Sequence, residues 1–178
     1  MRVRMTVAAI ALLAVASVAN AQSGYIWAGG GMSMPTGDAG DGMESGMMTT
    51  FGAGWTIKAV KGLSLQGEMQ MGSWDAKVGT GSTSQTSFFA NLGYDINPND
   101  KKLFPWVSAG IGSMSAKPKG GSSSSEMAYQ LNGGLTYMAN QKWAIWAGTG
   151  YISSGSGSSK MTHVPLLAGI SLLLGGSQ

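Results

Sequence analysis

Cysteine is absent from the 178 residues, so disulfides and thiolate metal sites are excluded at the outset. Charge is scarce as well: Asp, Glu, Lys and Arg together make up 11%, which excludes charge-rich disorder. Histidine occurs once, at position 163, and offers no second imidazole to a metal. Beyond residue 21 no apolar run reaches the ~20 residues that a spanning helix needs, because polar residues and glycines interrupt each one. Glycine is abundant, at 29 residues, as suits a chain of strands and flexible loops.

The first residues read as an export signal. Arg2 and Arg4 precede a short apolar run, Val7 to Val18, and Ala19-Asn20-Ala21 supplies a small-x-small cleavage site. Residues 1–21 are therefore expected to be a cleavable signal peptide, and residues 22–178 one domain. Cleavage removes both arginines and leaves nine lysines against eight acids, a net of +1. That balance gives no basis for nucleic-acid binding.

The domain is organised around residues 46–71. Met47, Thr49, Phe51, Ala53, Trp55 and Ile57 alternate with Met48, Thr50, Gly52, Gly54, Thr56 and Lys58. After a turn, Leu63, Leu65, Met69 and Met71 alternate with Ser64, Gln66, Glu68 and Gln70. A period of two is the signature of strands with one apolar and one polar face. Similar segments near 24–34, 46–58, 63–74, 85–96, 104–115, 127–138, 143–153 and 163–174 give eight strands, each long enough to cross a bilayer.

The connections alternate in kind. Pro35 to Ser45, Asp75 to Ser84, Ala116 to Glu126 and Ser154 to Thr162 are long and rich in Gly, Ser and Asp, whereas Ala59 to Gly62, Asn97 to Leu103 and Ala139 to Lys142 are short turns. Export, alternation and loop asymmetry together predict an all-β fold: an eight-stranded antiparallel up-and-down transmembrane β-barrel in the bacterial outer membrane. A soluble sandwich would instead turn its apolar faces against each other.

On this register Phe88, Ala90, Leu92, Tyr94 and Ile96 face outward, and the last strand must turn Leu167 and Leu173 inward. Tyr25, Trp27, Trp55, Tyr94, Phe104, Trp106, Tyr137 and Trp143 gather at the short-turn end, as an interfacial aromatic belt would, although Phe104 and Trp106 share the inward parity of Gly110. Gly52, Gly54, Gly93, Gly110, Gly112 and Gly148 also face inward, leaving room for water. Met32 and Met34 are soft donors of the kind that hold Cu(I), but without converging partners they read as lipid-facing or gap-filling thioethers.

Ser87-Phe88-Phe89-Ala90-Asn91-Leu92-Gly93-Tyr94-Asp95, followed by Phe104-Pro105-Trp106-Val107-Ser108-Ala109-Gly110-Ile111-Gly112, resembles the fourth and fifth strands of small outer-membrane barrels of the opacity and outer-membrane-protein A/X type. Leu63 to Glu68, Ala128 to Gly134, and His163-Val164-Pro165 with Ala168 to Ser171 extend the resemblance over the mature chain. It implies the barrel fold, insertion by the barrel-assembly machinery, contact with outer-membrane lipids and lipopolysaccharide, and a monomer. The terminal aromatic residue of such barrels is replaced by Leu174, followed by Gly175 to Gln178, which implies a different assembly signal.

Glu68 is the residue most able to carry chemistry, because a mid-strand carboxylate inside a barrel must be paired, hydrated or protonated. Gln66, Glu68, Gln70, Asn91, Gln130 and Asn132 are expected to form an interior polar network, with Thr50 beside them. No catalytic, cofactor-binding or metal site is expected. His163, at the start of the last strand, reads as a surface residue, and no nucleophile or acid follows it at a spacing that would build a triad. Lys117, Lys119 and Lys160 lie on long loops, where lipopolysaccharide phosphates would be met. The expected role is a non-enzymatic structural or surface-interaction protein. Its alternatives are a narrow ion-conducting pore centred on Glu68 and a lipid A-modifying enzyme using His163.

Overall fold

The computed structural model describes residues 24–97, 102–155 and 160–174. The signal segment 1–21, the middle of the 97–103 turn, the middle of the 154–162 loop and the tail after Leu174 lie outside the described residues. Eight antiparallel strands form a closed barrel in sequence order: β1 (Gly24–Thr36), β2 (Gly46–Thr56), β3 (Leu63–Asp75), β4 (Ser82–Asp95), β5 (Leu103–Pro118), β6 (Ser124–Met138), β7 (Trp143–Ser154) and β8 (Met161–Leu174). β8 closes on β1 from Gly24↔Leu174 to Thr36↔Thr162. Closure removes sheet edges and satisfies the backbone between strands, which is what lipid demands. No described helix is long and apolar enough to cross a membrane, and the crossing is made by strands.

Turn chemistry sets the register. Gly62 adopts φ 84 between β2 and β3, a left-handed conformation that favours glycine. Asn140 Oδ1 accepts the backbone N–H groups of Lys142 at 2.8 Å and Trp143 at 2.9 Å, fixing the β6–β7 turn. Two long connections differ from expectation. Residues 116–126 are mostly strand, because the β5–β6 ladder runs on to Ala116↔Ser124. The 35–45 connection contains a short helix, α1 (Asp38–Gly42). One interruption is chemical: β7–β8 pairing lapses between Thr149↔Leu166 and Ile152↔His163. Pro165 lies in that gap and has no N–H to give, while its carbonyl accepts a hydrogen bond from Thr149 Oγ1 at 2.7 Å.

The period of two decides the faces. Ile111, Leu131 and Ile170 point outward with 67%, 61% and 52% of their surface uncovered, which places an apolar band against lipid. Trp55, Tyr94, Tyr137 and Trp143 belong to the short-turn aromatic belt. Tyr25, Trp27, Phe104 and Trp106 do not, because their positions lie on the inward side of β1 and β5 and line the lumen. Leu167 and Leu173 turn inward as the register requires.

The inward glycines do not leave space for water. Side chains lie over them: Trp27 over Gly52, Tyr25 over Gly54, Gln66 over Gly93, Asn91 over Gly110 and Trp106 over Gly148, while Gly112 abuts the backbone at Phe88. Each glycine accommodates a neighbour too bulky to face a Cβ. The long-loop half of the lumen is packed shut by Met48, Trp74, Phe89, Met114, Ile152 and Met161.

Candidate functional site

Glu68 stands at mid-height on β3, opposite Gly52 on β2 and Phe89 on β4. Thr50 Oγ1 donates to its Oε1 at 2.7 Å and Gln70 Nε2 to the same oxygen at 2.9 Å. Asn91 Nδ2 and Gln130 Nε2 donate to Oε2 at 2.8 and 2.7 Å. Four donors aimed at two oxygens suit an acceptor-only carboxylate. Gln70 Nε2 also donates to Gln130 Oε1 at 2.9 Å, and Gln130 Nε2 to Asn91 Oδ1 at 2.7 Å. These last bonds join β3 and β4 to β6 through the interior, so the network forms a floor across the lumen.

Two expected members lie elsewhere. Gln66 Nε2 donates instead to Tyr25 Oη at 2.8 Å and Ser64 Oγ at 3.1 Å, and Tyr25 Oη donates to Ser64 Oγ at 3.0 Å. This second cluster sits nearer the short turns, because the inward ring of Tyr25 intercepts the amide. Asn132 lies over Gly150 and lines the lumen without joining the Glu68 network. Tyr25 was missed as a polar partner because its position near the strand end suggested the belt; the parity it shares with Trp27 and Gly29 was the usable signal.

Below the floor the barrel is hollow. A cavity of about 1130 Å³ runs from Glu68 and Gln70 to the turn residues Lys58, Lys61, Lys102 and Asn140. The side-chain filling typical of a small barrel is thus complete only in the long-loop half.

His163 is fully buried, contrary to its expected surface position. Its ring lies 5.3 Å from that of Trp74, and neither ring nitrogen has a hydrogen-bond partner. Inward parity on β8 carries it into the plug, where no acid or hydroxyl is hydrogen-bonded to either nitrogen. Met32 and Met34 point outward, and the cavity that Met32 lines beside Met47 does not include Met34. Among the described residues no group of three His, Cys, Asp or Glu side chains could hold a metal.

The model of the outer membrane protein beta-barrel domain matches residues 5–167. The chain belongs to this outer-membrane barrel family. Its place is the bacterial outer membrane, and the short turns lie on the periplasmic side in such barrels. Among solved structures, the barrel is similar to Neisserial surface protein A, at 18% identity and a TM-score of 0.66, covering 84% of this chain and 96% of that one. It is also similar to the N-terminal β-barrel domain of Pseudomonas aeruginosa OprF, at 14% identity and a TM-score of 0.55, covering 85% and 97%. The attachment invasion locus protein Ail of Yersinia pestis aligns at 14% identity and a TM-score of 0.55, covering 86% and 99%. At these identities the likeness concerns fold. No curated protein matches.

Proposed function

We propose that this outer-membrane barrel is a non-enzymatic, non-conducting surface protein that meets its partners through its long-loop end. The observation that carries the reading is the packed outer half: Met48, Trp74, Met114 and Ile152 are almost wholly buried above the Glu68 floor. Partners arriving from outside therefore meet only loops and strand ends. The burial of His163 without a polar partner argues against lipid modification at that residue. The structural relatives include a surface protein and an attachment invasion locus protein, which agrees with a role at the cell exterior.

Lys117, Lys119 and Lys160 are exposed at this end and supply cations for lipopolysaccharide phosphates. The test is retention of the refolded protein on immobilised lipopolysaccharide, with Lys117→Gln/Lys119→Gln/Lys160→Gln as the comparison. Retention that falls several-fold in the triple variant, and falls with added salt as exposed charge contacts do, supports the reading. Equal retention of both proteins, or none by either, contradicts it.

A further inference from the structure

The periplasmic half of the lumen is a feature that a surface role leaves unused. Its inner end is Glu68, whose four hydrogen-bond donors are all neutral, so the negative charge is oriented but not cancelled. Its wall carries three tryptophans laid across neighbouring strands. Trp146 on β7 lies over Gly169 of β8 and Gly29 of β1, which are register partners, and Trp106 on β5 lies over Gly134 of β6 and Gly148 of β7, also partners. Trp27 lies over Gly52 in the same way. Trp27 and Trp106 stay partly uncovered along the cavity, whereas Trp146 is only 8% exposed. The mouth carries Lys58, Lys61 and Asp95, with Lys102 at its rim, where its ammonium lies over the Tyr137 ring at 5.9 Å.

Charge thus changes sign along the cavity, with aromatic surface between the two ends. From Leu63 to Glu68 the chain advances about 17 Å at ~3.4 Å per residue, or about 13 Å along the axis for a tilt of ~40°. Lysine side chains at the mouth shorten the interval a ligand must span. An extended tripeptide is about 10 Å long.

We propose that this cavity is a periplasm-facing binding site for a short apolar peptide, entered amino end first. The ammonium group is drawn by the charge of Glu68, whose oxygens keep their four donors, and by the partly uncovered rings of Trp27 and Trp106, apolar side chains cover the remaining wall, and the terminal carboxylate stays with the lysines. The two charges fix the direction, because a reversed peptide would bring like charges together at both ends. The site is separate from the long loops, so it neither requires nor competes with a surface partner.

The test uses the refolded protein in phospholipid nanodiscs, titrated with trileucine and followed by tryptophan fluorescence and calorimetry. N-acetyl-trileucine and trileucine amide each lack one of the charges. Saturable binding of trileucine, weakened at least tenfold by acetylation, by amidation and by Glu68→Gln, supports the site. Binding that is indifferent to both end modifications, or no saturable signal, overturns it. The modified peptides decide the matter even if Glu68→Gln fails to fold, since they are measured on the unaltered protein.

Discussion

Gln130 reaches from β6 to Glu68 Oε2 and to Asn91 Oδ1, so its removal leaves Asn91 Oδ1 without this donor, while Glu68 Oε2 keeps only Asn91 Nδ2. An unsatisfied buried polar group costs about 1–3 kcal/mol. Gln130→Leu is expected to lose about that much in urea unfolding from lipid vesicles, monitored by the mobility of unboiled protein. An unchanged midpoint would mean that the floor contributes nothing to stability. Gly148 makes a second prediction of opposite chemistry. A side chain there meets the Trp106 ring and the backbone at Gly133, and overpacking of this kind costs about 1–3 kcal/mol. Gly148→Ala should destabilise, and Trp106→Ala in the same chain should recover part of the loss, a non-additivity that a double-mutant cycle reads directly.

At the scale of the strand, period-two parity decides whether a substitution meets lipid or lumen. Ile111 lies near the middle of β5 on the outward face, where a lysine costs about 2–4 kcal/mol at the bilayer midplane. Ile111→Lys is therefore expected to fold poorly into vesicles, with an unfolding free energy lower by about that amount. Tolerance without loss would place β5 in the opposite register.

Parity also explains what could be read in advance. The eight strands and the inward turn of Leu167 and Leu173 were legible because alternation runs through each segment and a one-residue slip would reverse every face. The partners of Glu68 were legible in part: Gln70, Asn91 and Gln130 share its face at nearby heights. Gln66 and Asn132 were not separable from them, because alternation fixes a face but not which neighbour an amide reaches. Tyr25 and Trp27 sit near a strand end, which suggests the belt, while their parity turns them inward; the inward glycines lie under neighbouring side chains that sequence alone does not place. Strand extension past Ala116 is not legible in the sequence, because a Gly- and Ser-rich composition reads as loop whether or not a ladder continues through it.

Across the whole molecule, the lumen divides at Glu68 into a packed outer half and a hollow inner half. A membrane pore needs a continuous aqueous path, and here the Gln70–Gln130 bond and the plug around Trp74 interrupt it. The cavity therefore ends blind, open to the periplasm and shut to the exterior. Single-channel recording in planar bilayers tests this most directly, using protein that shows a boiling-dependent mobility shift and so is known to be folded. The closed lumen predicts a flat baseline with no unitary openings, in the unaltered protein and in Glu68→Gln alike. Reproducible unitary currents whose size changes with Glu68→Gln would contradict the sealed barrel and restore an ion path through the network.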